Sequence, residues 1–402
     1  MKTVVIGAQW GDEGKGKIVD YLAEHADIII RYSGGANAGH TIVTGDTTYK
    51  LHLVPSGIVY RDKIVVLGTG MVIDPEALFH ELEELTNQGI QWKGRVCISD
   101  RAHIVLPSYK QEDLQEEKTR LNPIGTTGRG IGTTYAHKAR RDGIRIVDMY
   151  DDRVYGNLPE ESREFLEGYR DRMEDMVVDL VSFVAGHRDC EILYEGAQGI
   201  LLDLDIGTYP FVSSGTAAAA GASTGGGIGP RDIDRVIGVF KAYSTRVGNG
   251  PFPSEFREER DGNLEHIVRE TGREYGVTTG RPRRCGYLDL VALRYACRAN
   301  SIDTLALTHL DVYDEFDEVT VCTGYRRGDR VITDFPSSTG LLEQAEPVLE
   351  TLPGWKTSLA GAKTYDALPE NARAYIDFIE SHVETGIGII SVGYRRTQTI
   401  VR

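Results

Sequence analysis

"GAQWGDEGKGK", Gly7 to Lys17, follows the apolar run "KTVVI" and leads into an amphipathic stretch, "KGKIVDYLAEHA". A buried strand, a glycine-rich turn and a helix, in that order, predict a loop whose backbone N–H groups face an anion at a helix N-terminus. From Gly11 the spacing is G-x-x-x-x-G-K, the phosphate-cradling pattern of many nucleotide hydrolases. In that pattern the next residue is Ser or Thr, whose hydroxyl holds Mg²⁺. Here it is Ile18, and an acid, Asp12, stands inside the loop. Lys15 and Lys17 fall where the helix starts, so two ammonium groups are expected to face one anion. The cradle is kept while the means of holding a metal is changed.

Outward from this loop, short apolar runs alternate with helical patterns. "TVVIG", "DIIIRY", "KIVVLG", "EILYEG", "VIGVFKAY", "TLALTHLD", "EVTVCTGY" and "IGIISVG" read as strands. "PEALFHELEELTNQG", residues 162–187, "YLDLVALRYACRAN" and "PENARAYIDFIESHV" read as helices, with apolar residues three and four apart. The alternation predicts an α/β fold with a large, mostly parallel central sheet. No linker divides the chain, so residues 1–402 read as one large domain, with a helix-rich lobe within about 109–190 and loops at the strand carboxyl ends.

The 46 glycines cluster in discrete loops. "RYSGGANAGHT", Arg31 to Thr41, offers Asn37 as donor and acceptor and His40 as a proton carrier. "IGTTGRGIG", Ile124 to Gly132, sets Thr126, Thr127 and Arg129 among glycines, which suits a phosphate. "EGAQGILLDLDIGTYPFVSSGT" offers Gln198, Ser213 and Ser214, and "GVTTGRPRRCG" offers Thr278, Thr279, Arg281, Arg283 and Arg284. Arginine forks bind carboxylates and phosphates in pairs of bonds. "LTHLD", Leu307 to Asp311, ends a strand on a carboxylate that can accept the ring N–H and amino group of guanine. Five anion-suited loops imply more than one anionic substrate.

Bulk properties fit a soluble enzyme. Hydrophobic residues are 41% of the 402 and charged residues 26%. A net charge of -15 argues against nucleic acid as partner. Five scattered cysteines, with no C-x-x-C pair, suit a reduced, cytoplasmic setting, and no apolar run reaches membrane-spanning length.

With these motifs in hand, the whole chain resembles the adenylosuccinate synthetase family. The likeness is carried by "QWGDEGKGK", "GGANAGHT", "IGTTGRGIG", "EGAQGILLD", "GTYPFVSS", "KAYSTRVGNGPFP", "TTGRPRRCGYLD", "LTHLD" and "ISVG". The resemblance implies a ligase that joins IMP and L-aspartate while GTP becomes GDP and phosphate, through a 6-phosphoryl-IMP intermediate, the first committed step from IMP to AMP. It also accounts for the altered loop. Asp12 is implied as the base that takes the IMP ring proton and as a ligand of one Mg²⁺ per subunit, with the Gly39 carbonyl as the second protein ligand. A hydroxyl after Lys17 is then unnecessary.

By the same resemblance His40 is the general acid, and Lys15 neutralises phosphate charge, with Gln198 beside them. GTP is implied to contact Gly11, Asp12, Glu13, Gly14, Lys15, Gly16 and Lys17, then Gly39, His40, Thr41 and Arg283. Its base is implied to meet His309, Leu310, Asp311, Ser391, Val392 and Gly393. IMP is implied to contact Asp12 to Lys15, Asn37, Ala38, Gly39, His40, Thr127, Gln198, Ser213 and Arg281. Arg141 is implied to reach the IMP phosphate in the neighbouring subunit of a homodimer. Val277, Thr278, Thr279, Gly280, Arg281, Pro282 and Arg283 form the implied aspartate loop. Three positions depart from the family pattern: Ser213 stands for a usual Thr, His309 for a usual Lys, and Pro282 for a basic residue in some members. A regulatory GTPase, or a non-catalytic purine-nucleotide sensor on the same fold, is the alternative. The first would carry Ser or Thr after Lys17, and the second would be expected to lose Asp12 or His40.

Overall fold

The computed structural model describes residues 1–44, 47–120, 123–276 and 280–402. Ten strands form the central sheet: β1 (Lys2–Gly7), β2 (Ile28–Arg31), β3 (Ile64–Leu67), β4 (Val96–Ser99), β5 (Val177–Val178), β6 (Ile192–Gly199), β7 (Arg235–Lys241), β8 (Thr304–Thr308), β9 (Ile387–Ser391) and β10 (Thr399–Val401). Their spatial order is β10-β9-β8-β7-β1-β6-β2-β3-β4-β5. Every neighbouring pair is parallel except β9 with β10. The expected mostly parallel sheet is therefore present, with β1 near its middle.

The physical reason is in the runs themselves. A strand covered on both faces needs apolar residues at every position, and "VVI" and "III" supply them. Val4, Ile6, Ile28 and Ile30 enter one core cluster, whereas Val5, Ile29, Val65 and Leu67 enter the other. That alternation is the period of two of a pleated strand.

Helix α1 (Lys15–Ala23) follows β1 directly, and Gly14 at φ 83 starts it without a side-chain cap. Helix α2 (Pro75–Asn87) has the opposite device: Asp74 accepts from the Ala77 N–H, and Pro75 occupies the first turn. Helices α3 (Pro107–Thr119) and α4 (Ile131–Arg140) flank the "IGTTGRG" loop. Residues 162–187 do not form the single expected helix. The helix Glu160–Glu174 ends, Val177–Val178 joins the sheet edge as β5, and Asp179 caps a new helix, Leu180–Gly186, by accepting from Ser182 N–H at 2.8 Å. Two adjacent β-branched residues and a capping acid outweigh the helical spacing. "EVTVCTGY" is a strand as expected, but it belongs to a second sheet in which Glu318–Arg327 pairs with Glu346–Pro353.

The parallel arrangement puts the carboxyl ends of β1, β2, β6, β8 and β9 on one edge. Their loops carry the glycine-rich stretches, as open α/β sheets require of a ligand site.

Candidate active site

A cavity of about 990 Å³ opens at that edge. Asp12, Gly14, Lys15, Gly16 and Lys17 line it from the first loop, and Asn37, Ala38, Gly39, His40 and Thr41 from the second. Thr127, Gln198 and Ser213 line it on the side of α4, and Arg283, His309, Asp311, Ser391 and Gly393 on the other. Asp12 and Tyr394, 382 positions apart in sequence, thus share one space.

The first loop is built around a buried carboxylate. Glu13 is fully buried and accepts from Gln9 N–H at 3.1 Å, Gly11 N–H at 2.8 Å and Lys15 Nζ at 2.5 Å. A side chain at Gly7 or Gly199 would collide with that carboxylate, which explains two of the glycines by close approach. Gly11 (φ 89), Asp12 (φ 58) and Gly14 (φ 83) bend the chain through the left-handed region, and Asp12 does so at a cost in strain. That bend leaves Asp12 about 36% exposed, paired with Arg283 Nε at 2.8 Å.

The two lysines differ from the simple expectation. Lys15 lines the cavity, but Glu13 holds its ammonium. Lys17 donates to Ser391 Oγ at 2.6 Å, Gly393 O at 2.6 Å and Gln398 O at 3.0 Å. Burial pulls Lys17 down to about 8 against the opposing charge of Asp311. Burial likewise raises Asp311, whose carboxylate lines the same end of the cavity.

His40 is oriented from behind. Its Nδ1 donates to Glu195, which also accepts from Ser56 N–H and Ser56 Oγ, each at 2.8 Å. Glu195 is fully buried; burial alone would raise its carboxyl, but the His40 charge and these hydrogen bonds outweigh that and hold it below the usual range. The second loop is fixed by Arg31 at the end of β2, which donates to Ser33 O at 3.3 Å and Gly35 O at 3.0 Å. Arg129 ties the third loop to the second through Ala36 O. Asp113 on α3 accepts from Thr126 Oγ1 at 3.0 Å and Gly130 N–H at 2.9 Å, and Glu117 accepts from Gly125 N–H at 2.7 Å.

A second buried acid supports the far side. Glu274 accepts from Lys241 Nζ at 2.5 Å, Tyr243 OH at 2.5 Å and Arg283 at 2.6 Å. Burial opposes its charge, yet Lys241, His309 and Arg283 hold it at about 2. Burial and Lys241 push His309 down to about 4, so it is a neutral imidazole at pH 7, edge-on to Tyr243 at 5.9 Å between ring centres.

Two polar atoms near the second and third loops lack such support. Among the described residues, Asn37 Oδ1 and Thr133 Oγ1 are buried without a hydrogen-bond partner, and both residues line the cavity. Thr133 lies in the first turn of α4, which Gly130 (φ 69) opens without a side-chain cap. Backbone N–H groups and an unpaired hydroxyl there suit an anionic or hydroxylic ligand atom.

Not every expected residue reaches the cavity. Gly11, Glu13, Leu310 and Val392 stand behind its lining. Gly280, Arg281 and Pro282 are not among the lining residues, and Val277, Thr278 and Thr279 lie outside the described residues. Arg141 is exposed, in a left-handed turn at the end of α4 (φ 69), away from this cavity. Local motifs do not mark Glu13's carboxylate as a framework, nor Glu195, Ser56, Glu274, Asp113 or Thr133 as site residues. The only signal was their place beside motifs: Glu195 opens "EGAQG", and Thr133 follows "IGTTGRGIG".

The chain is similar to known proteins over nearly its whole length. The profile of the adenylosuccinate synthetase family matches residues 4–400. Over 423 aligned residues the chain is 46% identical to the adenylosuccinate synthetase of Desulforamulus reducens, covering 99% of this chain and 98% of that one. It is 48% identical to that of Moorella thermoacetica over the same shares of each chain. The fold matches the fully ligated adenylosuccinate synthetase of Plasmodium falciparum with a TM-score of 0.91 at 39% identity, covering 100% of this chain and 99% of that one.

Proposed function

The chain belongs to the adenylosuccinate synthetase family, the GTP-dependent ligases that join IMP and L-aspartate, and from that premise we propose how its residues divide the chemistry. The observation that carries the assignment is one cavity ringed by Asp12, Lys15, His40, Gln198 and Asp311. Residues 1–402 work as one catalytic domain, in the cytoplasm, as a homodimer.

Asp12 takes the ring proton of IMP. The electron pair left behind makes the 6-oxygen nucleophilic, and that oxygen attacks the γ-phosphorus of GTP as the bond to GDP breaks. A placed base of this kind is worth about 10²–10⁴ in rate. The aspartate amine then attacks carbon 6, phosphate departs with the oxygen, and the surplus amine proton passes to solvent. His40, held at Nδ1 by Glu195, presents its other nitrogen to donate where negative charge grows on the transferring group. Lys15 has one donor tied to Glu13 and two to offer phosphate oxygens. Arg283 leaves Asp12 when the carboxylates of aspartate or a phosphate compete for its guanidinium.

Asn37, Thr127, Gln198, Ser213 and Arg281 hold IMP, and the exposed Arg141 serves the site of the other subunit. Asp311 accepts the two adjacent donors of guanine, with Ser391 and Gly393 beside it and the neutral His309 ring in place of a lysine stem. Residues 277–283 receive aspartate.

The Asp12 carboxylate and Gly39 carbonyl are hard oxygen donors on the same cavity, which suits Mg²⁺: this ion takes one or two carboxylates and completes its shell with phosphate oxygens and water. Held there, Mg²⁺ would supply neutralisation of phosphate charge.

The deciding experiment mixes protein, GTP, Mg²⁺ and IMP, then adds aspartate and follows adenylosuccinate absorbance. Product that forms only when the protein, GTP, Mg²⁺, IMP and aspartate are all present supports the reading. GTP hydrolysis that proceeds without IMP and yields no adenylosuccinate would replace it with a GTPase.

A further inference from the structure

The cavity holds a lysine that its own loop pattern assigns to phosphate but whose hydrogen bonds are all committed elsewhere. A protonated lysine has three N–H donors. Those of Lys17 meet three oxygens: Ser391 Oγ, Gly393 O and Gln398 O, at 2.6, 2.6 and 3.0 Å. The acceptors belong to a single turn. Within it Ser391 Oγ also donates to Gly393 O at 2.9 Å, Val392 N–H to Gln398 O at 3.0 Å, and Gln398 N–H to Arg395 O at 3.0 Å. The ammonium sits at the neck of the turn and closes it. By contrast, Glu13 takes only one donor of Lys15.

We propose that Lys17 is a positioning residue for base recognition: it straps the 391–398 turn to α1, and so fixes Ser391 and Gly393 beside Asp311, rather than binding phosphate. This deepens the reading that Asp311, Ser391 and Gly393 read guanine, and rests on it. The geometry supports the assignment from both ends. Lys17 lies on the helix that starts at the phosphate loop, and the turn it holds begins where β9 ends, next to β8, which leads into the short 3-10 turn Leu310–Tyr313 that carries Asp311. A displaced turn would move the base-reading edge while leaving Lys15 and the loop N–H groups in place.

The two roles predict different losses. A phosphate ligand contributes equally to any nucleoside triphosphate, whereas a strap on the base reader contributes to selectivity. The test compares kcat/KM for GTP and for inosine triphosphate, which lacks the exocyclic amine, in wild type, Lys17→Met and Lys17→Arg. Binding of GDP and inosine diphosphate to each protein is measured by calorimetry alongside. Lys17→Met should lower the GTP-to-inosine preference at least tenfold in both readouts, with kcat at saturating GTP much less affected. Lys17→Arg, which keeps the charge and serves as the folding control, should restore part of the preference. An unchanged preference with equal losses for both nucleotides would overturn the strap and return Lys17 to the phosphates. A wild type that turns over without any preference for GTP would remove the base-reading assignment, and the strap with it. A wild type that makes no adenylosuccinate at all would remove the functional reading itself.

Discussion

The two ends of the cavity are built on opposite terms. At the first loop, the 391–398 turn and the wall behind Arg283, the charged groups are satisfied by the protein: Glu13 with Lys15 and two N–H groups, Lys17 with three oxygens, Glu274 with three donors. In the loop after β2 and at the start of α4, Asn37 Oδ1 and Thr133 Oγ1 are buried with no hydrogen-bond partner among the described residues. The first end is therefore part of the folded framework, and a ligand meets it ready-made. The second is an incomplete structure, at a cost of about 1–3 kcal/mol for each unpaired group, until a ligand completes it. Substitutions at the first end should harm stability together with function. At the second end the two should come apart.

The largest effect is expected at Asp12, where the ends meet. Asp12→Asn should lower turnover by about 10²–10⁴ while leaving unfolding nearly unchanged, because the side chain is partly exposed and Arg283 keeps Glu274 as a partner. Adenylosuccinate absorbance and a thermal melt measure the two quantities; near-wild-type turnover would remove Asp12 as the base.

Glu13→Gln attacks the framework. Loss of one partner in a buried ion pair leaves the other uncompensated, so urea unfolding should show a loss of about 3–5 kcal/mol. A variant as stable as wild type would break the comparison, since the loop would then hold its shape without its central charge.

Arg141→Leu should weaken IMP binding without lowering stability, as an exposed residue adds little to its own core. Mixed with Asp12→Asn, it should regain activity in heterodimers that pair an intact Asp12 with an intact Arg141. No recovery despite confirmed subunit exchange would put Arg141 outside the neighbouring site.

Glu195→Gln gives a pH signature. The folded carboxyl lies below its ordinary value of 4.5, so its contribution to stability is present above that pH and is lost as pH falls toward the folded value. The variant should be less stable at pH 7 and should lose part of the wild-type decline below pH 4.5. It should also turn over more slowly, because a neutral amide supports a protonated His40 poorly. Melts at pH 4 and pH 7 with parallel shifts would contradict this.

The smallest effect is the most discriminating. Thr133→Val removes an unpaired buried hydroxyl from a site of the same shape. The melting temperature should rise slightly while KM for IMP rises severalfold. A fall in stability would show that the hydroxyl is already satisfied.

The sequence made the first end legible in outline and the second only in part. "GDEGKGK", "GGANAGHT" and "LTHLD" carry their chemistry in local spacing, and all three reach the same cavity. Glu195 and Glu274 were not legible because each acts through partners far away in the chain: His40 lies 155 residues from Glu195, and Lys241 lies 33 from Glu274. Thr133 was hidden for the opposite reason. Its significance is the lack of a partner, which no local pattern records. The break within residues 162–187 escaped because helical spacing continues across a short edge strand whose pairing with β4 is settled only by the sheet.

The contact between Lys17 and Gln398 has a consequence during protein synthesis. The two residues are 381 positions apart, and at ~5–20 residues per second the ribosome needs about 20–80 s to make the second after the first. Throughout that interval the phosphate loop and its helix have been translated while the turn beside Asp311 does not yet exist. Cellular GTP can meet the nascent loop, but the pocket proposed to read guanine is absent. On the proposed reading of Asp311, Ser391 and Gly393, base selectivity is therefore among the last properties this chain acquires as it is made.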